Sequence, residues 1–386
     1  MRSRIGILGW GSISPLGSQP EDIWQEYKHN ETNLSKREES NAWIGGLSVK
    51  GLAEINVIKA IGKPYSKLDR TVLLALVAAE KAMKSVAQGA RGRWGINMGS
   101  SRGATEKFEL YHGNFLADER LSPNASPLTT LGNVATWVGQ HLGIEAMALS
   151  HSVTCSTALQ SILNAVVWLE SGRCDYFLAG GTEAPLTKFT LAQMKALRIY
   201  SQADTEAFPC RSLDLKKEHN TMVLGEGAAC FVLGKETQAQ PLAWIVGMGY
   251  AIEQISSPVS ISRDGQSLQK SMQMALAESG LSTVDAVICH SPGTIQGDLA
   301  EWQAIQNTFT DRLPYLTTNK WKMGHTLGAS GGLSLEMALL MLQHQTCIGI
   351  PFGELQKQAK PAEIKTIMVN AAGFGGNAVS IILSKV

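Results

Sequence analysis

The sequence lacks the features of several protein classes. Its 34 Lys and Arg residues nearly balance 33 Asp and Glu, and no dense basic stripe follows the chain, so a nucleic-acid-binding role is not expected. No apolar run is long enough for a transmembrane helix, and the basic N-terminus precedes an apolar run only as long as a strand. We therefore predict no membrane insertion and no signal peptide, and expect a cytoplasmic protein.

Cysteine motifs are also missing. The six cysteines are irregularly spaced and form no C-x-x-C pair, which excludes the common zinc-site and disulfide-framework patterns. Most of them are therefore expected to be free buried thiols in a reducing compartment.

What the chain has in abundance is apolar residues and glycine. Hydrophobic residues make up 44% of its 386 positions and charged residues 17%, and 38 glycines indicate many tight turns. Apolar strands alternate with amphipathic helices, whereas residues 28–65 are polar and predict an irregular surface segment. In the first part of the chain we predict strands at 5–8, 94–98, 176–183 and 228–234 and helices at 20–27, 66–86, 127–142 and 156–171.

The second part repeats this order of elements. Strands are predicted at 243–250, 286–290, 366–377 and 378–385, and helices at 265–280, 298–308 and 328–343. Two similar βα halves, residues 1–240 and 241–386, therefore form the simplest interpretation. Because no charge-rich linker separates them, one fused α/β unit is favoured over two independent domains.

Cys155 lies between a predicted strand and the helix over 156–171. The N-terminus of a helix presents unpaired N–H groups and a positive dipole end, which favour negative charge. A thiol there is expected to have a lowered pKa and to act as a nucleophile. A cysteine at a helix start is more often structural than catalytic, so this inference needs further residues.

Two downstream histidines provide them. His290 ends an apolar strand and begins a glycine-containing loop, the kind of place where α/β proteins carry binding groups. His325 lies in a glycine-rich stretch at the entrance to the helix over 328–343, which occupies the place of the helix after Cys155. One such histidine alone would indicate little, but the three residues in this order are more specific.

These motifs resemble, over essentially the full chain, those of the β-ketoacyl-acyl carrier protein synthases, elongating condensing enzymes of the thiolase fold. Val153-Thr-Cys-Ser-Thr-Ala-Leu resembles the nucleophile motif. His290 with Asp298 and Glu301 resembles the first histidine block, and Lys320 with His325 resembles the second. The other matching segments are Gly6-Ile-Leu-Gly-Trp-Gly-Ser-Ile-Ser-Pro-Leu-Gly, Ala179-Gly-Gly-Thr-Glu-Ala, Cys210-Arg-Ser-Leu-Asp, Val223-Leu-Gly-Glu-Gly-Ala and Gly373-Phe-Gly-Gly.

The resemblance implies a fold of two βαβαβαββ halves packed as five αβαβα layers, and a decarboxylative Claisen condensation without metal or organic cofactor. Cys155 would hold the acyl group, and His290 and His325 would stabilise the enolate of the malonyl thioester. Lys320 would support the site electrostatics, the alternative being a helix-capping or surface lysine. Phe374 and Gly375 would form the oxyanion site and acyl gate, and Thr294 and Gly373 would bind substrate.

Departures from the family pattern indicate a specialised substrate. Ile288-Cys-His-Ser-Pro-Gly-Thr stands where the family usually has Asn-Ala-His-Gly-Thr. Ser334 replaces a glutamate, and Glu336 is predicted to lie on another helix face. His219-Asn-Thr-Met replaces Arg-Asp-Gly-Phe, and Asn377-Ala replaces Thr-Asn. We predict chain building of the fatty-acid, polyene, aryl polyene or polyketide type rather than ordinary fatty-acid elongation.

Three alternatives remain open. A non-catalytic chain-length partner subunit is one, although such partners commonly lose the cysteine. A thiolase or starter-unit synthase that uses CoA would carry a Cys-His-Cys or Cys-His-Asn set, and a Cys-His hydrolase would need an orienting carboxamide or carboxylate.

The expected partners are acyl carrier protein and a second subunit, identical or related, in a homodimer or heterodimer. An acidic carrier protein needs a basic patch at the site entrance, and the candidates are Arg102, Lys107, Lys216, Lys217 and Lys322.

Overall fold

Strands and helices alternate along most of the chain in a computed structural model, which describes residues 4–86, 92–131, 133–203, 207–236, 240–257 and 261–386. The strands are β1 Ile5–Ile13, β2 Ser35–Arg37, β3 Ala42–Gly45, β4 Trp94–Gly99, β5 Ala146–Leu149, β6 Tyr176–Glu183, β7 Leu224–Gly225, β8 Gly227–Lys235, β9 Ala243–Ile252, β10 Ala286–Ile288, β11 Tyr315–Thr317, β12 Thr366–Gly373 and β13 Asn377–Ser384. The helices are α1 Pro20–Lys28, α2 Val49–Ala60, α3 Arg70–Lys84, α4 Thr105–Asp118, α5 Ala125–Thr129, α6 Asn133–Leu142, α7 Thr157–Glu170, α8 Lys188–Ala196, α9 Gln266–Ser279, α10 Ile295–Thr308, α11 Lys320–Met323 and α12 Ser330–His344.

Ten of the described strands form one continuous sheet in the order β11-β10-β12-β13-β9-β1-β8-β6-β4-β5. Five of them come from each predicted half. The halves meet where β1 pairs antiparallel with β9, over the short register from Ile5↔Ile245 to Ile7↔Ala243. Within each half, parallel pairs lie at the outer end of the sheet and antiparallel pairs near the junction. The boundary at residues 240 and 241 itself stays a prediction.

The faces of the strands assign the helices to layers. Phe177 belongs to the core cluster that contains buried residues of α7 and α12, and so does Val369 from the other half of the sheet. Leu178, the residue after Phe177, points to the opposite face of the sheet and belongs to the cluster that contains residues of α3 and α6. Met368 likewise lies in a third cluster, with α9 and α10. The central helices α7 and α12 are therefore enclosed by both halves of the sheet, which confirms the predicted five-layered thiolase fold.

The prediction for residues 28–65 is wrong. This segment contains β2, β3 and α2, and β2 and β3 form a three-stranded sheet with β7. Ile44 and Ile55 are buried, so a few well-placed apolar residues anchor the segment in spite of its polar composition. The predicted helix over 127–142 is also two helices, α5 and α6, and the other predicted helices agree within a few residues.

None of the helices in the described part of the chain is long and apolar enough to cross a bilayer.

Candidate active site

A cavity of about 360 Å³ contains the predicted nucleophile and both predicted histidines. Cys155 reaches it from a segment 135 positions before His290, and His325 follows 35 positions after His290. Thr294, Gly373 and Phe374 also line it. Most of the remaining lining is apolar, and it includes Met194, Leu197, Ile199, Met222, Ile261, Leu268 and Leu327. The cavity therefore combines three reactive side chains with a wall that suits an acyl chain.

Cys155 lies in a tight turn immediately before α7, whose first helical residue is Thr157. Thr154 adopts a left-handed backbone conformation, with φ of 49°. The Thr157 hydroxyl holds the turn, since it donates to the Thr154 carbonyl at 2.6 Å and accepts from the Val153 N–H at 2.9 Å. This geometry presents the thiol at the cavity wall, at the N-terminal end of the helix.

The predicted lowering of the Cys155 pKa is wrong. Burial raises the pKa of the thiol to about 12, and the Glu183 carboxylate adds to that rise, while Lys320 acts in the opposite direction. A helix N-terminus also favours a thiolate, but desolvation of a charge is the larger effect at a site with 7% exposure. Cys155 is therefore a neutral thiol in the free protein.

His290 is positioned through its backbone. The His290 N–H donates to one oxygen of Glu301 at 2.9 Å, and the Ser291 N–H donates to the other at 2.7 Å. Asn370 also donates to Glu301, at 3.2 Å. Because the buried Glu301 lies on α10, it fixes the loop after β10 to that helix.

His325 is held by strand-like pairing with the segment at β7. Its N–H donates to the Val223 carbonyl at 2.7 Å, and its carbonyl accepts from the Gly225 N–H at 3.0 Å. Gly324, with φ of 80°, ends α11 and turns the chain into this pairing. The ring thereby lines the cavity.

The two imidazoles meet edge to face, with ring centroids 5.2 Å apart. Burial holds the pKa of His290 well below its ordinary value and lowers that of His325 to about 3, and the nearby Lys320 lowers both. Both rings are therefore neutral at physiological pH. A neutral imidazole has one N–H to donate and one nitrogen to accept a proton, so the pair offers two donors beside the thiol.

Lys320, the first residue of α11, is only 1% exposed, which excludes the interpretation as a surface lysine. Burial lowers its pKa to about 8, with Glu301 acting in the opposite direction. Its ammonium has no hydrogen-bond partner among the described residues. Ser334 donates instead to Asn319 at 3.5 Å, and Glu336 accepts from Tyr27 at 3.3 Å, so neither pairs with the lysine.

The turn between β12 and β13 carries Phe374, whose side chain is 39% exposed, and Gly375, whose φ is 90°. A Cβ at Gly373 would come within 1.9 Å of the Thr154 hydroxyl oxygen, so glycine is required for this turn to approach the nucleophile. Gly375 does not line the cavity.

Asn377 joins that turn to the residues on either side of Cys155. Its amide donates to the Phe374 carbonyl at 3.0 Å and to the Thr154 hydroxyl at 3.4 Å, and its carbonyl oxygen accepts from Ser156 at 2.5 Å. Asn377 is not among the predicted site residues. Its position directly after the glycine loop, where it departs from the family pattern, was the available signal.

Thr294 caps the N-terminus of α10, where its hydroxyl accepts from the Gly297 N–H at 3.2 Å, and it remains on the cavity wall.

The prediction that the carrier protein docks on basic side chains at the site entrance is wrong for two of the five candidates. Lys217 is buried in an ion pair with Asp298 at 2.6 Å, and Lys322 is buried and donates to the Glu31 carbonyl. Lys216 is exposed and pairs with Glu354, and Arg102 and Lys107 are partly exposed.

No group of three or more His, Cys, Asp or Glu residues suitable for a metal ion lies within the ranges that the structure describes. The six cysteines are free and buried.

Comparison with known proteins identifies the family. Residues 2–239 match the model of the β-ketoacyl synthase N-terminal domain, and residues 242–350 match that of the C-terminal domain. The chain belongs to the β-ketoacyl synthase family. This confirms the resemblance and the predicted enzyme class, an acyltransferase of the 3-oxoacyl-acyl carrier protein synthase type.

Relatives in this family are distant. The chain is 27% identical to 3-oxoacyl-[acyl-carrier-protein] synthase 2 of Staphylococcus aureus (strain COL), over 99% of this chain and 98% of that protein. It is 25% identical to the enzyme of the same name from Coxiella burnetii, over 100% of this chain and 99% of that protein. This β-ketoacyl synthase is therefore a divergent member.

Solved structures show the same fold. A β-ketoacyl synthase from Burkholderia phymatum has a TM-score of 0.86 at 24% identity, with complete coverage of both chains. A chain of the ishigamide ketosynthase/chain length factor has a TM-score of 0.88 at 19% identity, again with complete coverage.

Proposed function

We propose that this β-ketoacyl synthase performs a decarboxylative Claisen condensation, in which malonyl-acyl carrier protein extends an acyl group held on Cys155. The observation that carries the proposal is the convergence of Cys155, His290 and His325 on one largely apolar cavity. A thiol supports covalent acyl transfer, and two neutral imidazoles support an oxyanion without an added charge. This set also differs from the one expected of a thiolase, a starter-unit synthase or a hydrolase.

Acyl transfer comes first. The Cys155 sulfur bonds to the carbonyl carbon of the acyl thioester, and the bond from that carbon to the carrier sulfur breaks. Because Cys155 is a neutral thiol, its proton has to leave during attack, and it passes to the departing carrier thiolate. A neutral imidazole in the same cavity can relay it.

Decarboxylation follows. His290 and His325 donate hydrogen bonds to the malonyl thioester oxygen, where negative charge develops as carbon dioxide leaves. The resulting carbanion attacks the acyl carbon on Cys155, the bond from that carbon to the Cys155 sulfur breaks, and the departing thiolate takes a proton from solvent. The products are a β-ketoacyl thioester on the carrier and free enzyme. Each histidine donor contributes on the order of 2–4 kcal/mol to lowering the barrier.

The other predicted site residues surround this chemistry. The N–H groups of Cys155 and Phe374 form the oxyanion site for acyl transfer, and the Phe374 ring gates the acyl cavity, with Gly375 allowing the turn to move. Lys320 sets the local electrostatics, and its charge adds to the effect of burial in lowering the pKa of both histidines. Thr294 and Gly373 contact the substrate from the cavity wall.

The substrate is a specialised chain of the polyene, aryl polyene or polyketide type. The altered loops after His290 and before Val223 support this, as does Met222 on the cavity wall, where the family pattern has Phe. A structural neighbour at a TM-score of 0.87 and 20% identity is described as a type II polyketide synthase acyl-carrier protein in complex with its ketosynthase bound to the hexaketide. A comparison of saturated, unsaturated and polyketide acyl-carrier proteins tests this, and preference for plain saturated chains contradicts it.

Acyl carrier protein is the proposed partner, and the second subunit is either a copy of this chain or a related synthase subunit. The proposed site of action is the cytoplasm, and the proposed halves are residues 1–240 and 241–386. The neighbours described as ketosynthases with chain length factors support a heterodimer, and they also keep a chain-length role as the second candidate.

Mass spectrometry after incubation with acyl-acyl carrier protein tests the central step. We expect acylation on Cys155 that disappears in Cys155→Ala. His325→Ala should retain most acylation and lose malonyl decarboxylation. Absence of any acylation favours the non-catalytic partner, and full decarboxylation by His325→Ala contradicts the role of that histidine.

A further inference from the structure

Glu183 is a buried carboxylate at the end of β6 for which the mechanism above has no role. It is 0% exposed and accepts four hydrogen bonds. One oxygen accepts from the Ser100 hydroxyl at 2.8 Å and the Arg102 N–H at 3.1 Å. The other accepts from the Ser101 N–H at 2.7 Å and the Gly328 N–H at 2.9 Å. The carboxylate therefore joins the loop after β4 to the turn that follows His325.

That turn is closely packed on two sides. A Cβ at Gly328 would lie 2.5 Å from the Ser101 nitrogen and 2.7 Å from a Glu183 oxygen. On the other side, a Cβ at Gly181 would lie 2.5 Å from the Gly328 carbonyl oxygen and 2.8 Å from the Ala158 Cβ. Ala158 belongs to α7, the helix that begins just after Cys155. Glu183 thus lies at the junction of the strand, the turn after His325 and the nucleophile helix.

We propose that Glu183 is a positioning residue that fixes the turn after His325 against α7 and so sets the placement of the second histidine relative to the Cys155 thiol. The inference rests on the proposed function for its consequence in catalysis, whereas the structural part stands on the hydrogen bonds alone. A second effect follows from charge, because the carboxylate disfavours the Cys155 thiolate.

Two variants distinguish the effect of the length of the Glu183 side chain from the effect of its negative charge. Glu183→Asp keeps the charge, but its shorter side chain cannot reach all four donors. Glu183→Gln keeps the length, but it removes the charge and turns an NH₂ group toward two donors. The matched control is Glu336→Gln, because Glu336 is equally buried, has a similarly raised pKa of about 7, and contacts Tyr27 instead.

Hydrogen exchange measures positioning without any need for activity. In both Glu183 variants we expect amides of the peptide 326–334 to exchange at least about tenfold faster, because an acceptor of the Gly328 N–H is weakened. In the control, this peptide should exchange no faster than in the original protein. If exchange in this peptide is unchanged in both variants, the positioning role is wrong.

Alkylation of Cys155 by iodoacetamide between pH 8 and 10 measures the charge effect. We expect Glu183→Gln to react about threefold faster or more, which corresponds to about half a pKa unit, and Glu183→Asp to match the original protein. Equal acceleration in both variants would assign the change to loosening and contradict the charge effect.

Condensation kinetics complete the test. A misplaced histidine should lower kcat at least about tenfold in Glu183→Asp, with KM within about twofold. Unchanged kcat in a variant with faster exchange contradicts the link to catalysis. If the original protein itself fails to condense, the proposed function fails, while the exchange and alkylation results still decide the role of Glu183. Should both variants misfold, Ser100→Ala removes a single donor, and the same exchange measurement applies.

Discussion

The rings of His290 and His325 meet edge to face, with centroids 5.2 Å apart and planes 83° apart. Each ring is buried and lies close to Lys320, and both circumstances disfavour the imidazolium form. The site therefore combines two neutral donors with a positive charge behind them. This arrangement suits an enolate oxygen, which needs hydrogen bonds already aimed at it.

Because both imidazoles are neutral, we predict that neither His290 nor His325 titrates near neutral pH. Because the pKa of His325 is about 3 and that of His290 is also far below its ordinary value, neither ring should gain a proton between pH 8 and pH 5. Imidazole NMR signals, assigned with His290→Gln and His325→Gln, should stay constant over this range. A midpoint near pH 6 in either ring would contradict the burial argument.

The raised pKa of Cys155 predicts slow and strongly pH-dependent alkylation. With a pKa of about 12, the thiolate fraction rises about tenfold for each pH unit from 7 to 10, and the rate with iodoacetamide should follow without a plateau. Cys155→Ala reveals the background from the other cysteines. A plateau near pH 8 would restore the expectation of a helix-activated thiolate.

The hydrogen bonds of Asn377 predict that its substitution by alanine slows the acylation of Cys155. Asn377→Ala removes the amide that joins Thr154, Ser156 and the Phe374 carbonyl, so we expect acylation of Cys155 to slow by about tenfold to a hundredfold. Stability should fall by about 1–3 kcal/mol, because the Phe374 carbonyl loses the Asn377 donor and the buried Ser156 hydroxyl keeps only the Val153 carbonyl as its acceptor. Asn307→Ala on the exposed side of α10 is the control, and equal rates in both variants contradict the role.

The buried ion pair of Lys217 and Asp298 predicts that the effects of substituting these two residues on stability are not additive. Asp298 also accepts from the Leu213 and Gly293 N–H groups, so it holds the segment around residue 213 to the loop after His290. Lys217→Met leaves a buried carboxylate without its cation, and we expect a loss of about 3–5 kcal/mol of folding free energy in denaturant titrations.

Adding Asp298→Asn to Lys217→Met should recover part of that loss, since no buried charge then remains. Additive losses in the double variant would show that the pair contributes through packing alone.

Glu336 predicts a pH-dependent stability. Burial raises its folded-state pKa from 4.5 to about 7, so the folded protein favours the protonated acid. The contribution of Glu336 to the free energy of unfolding is complete below about pH 4.5 and is lost as pH rises toward 7. It amounts to at most about 3 kcal/mol. Glu336→Gln should therefore equal the original protein in unfolding free energy at pH 4.5 and exceed it at pH 8. Equal stability at pH 8 contradicts the prediction.

Much of the fold was predictable from local patterns. The strands and helices around Cys155 and His290 were found within a few residues, because alternating and helical spacings of apolar residues are local properties. Residues 28–65 were not, because β2 and β3 are short, and β3 pairs with β7, some 180 positions further along the chain. Short strands depend on distant partners, and their own sequence carries little signal.

The sequence by itself determined which groups are candidates for the proposed chemistry: one thiol, two imidazoles and a lysine, each within a recognisable motif. Only the tertiary structure decided their protonation states. The pKa of Cys155 rises and those of His290 and His325 fall because burial is created by residues far away in the chain. The same holds for Asn377 and Glu183, whose hydrogen bonds join turns that are neighbours in space alone. A sequence motif fixes which residue types are present, whereas their desolvation and the distances between their side chains arise from packing of the folded chain.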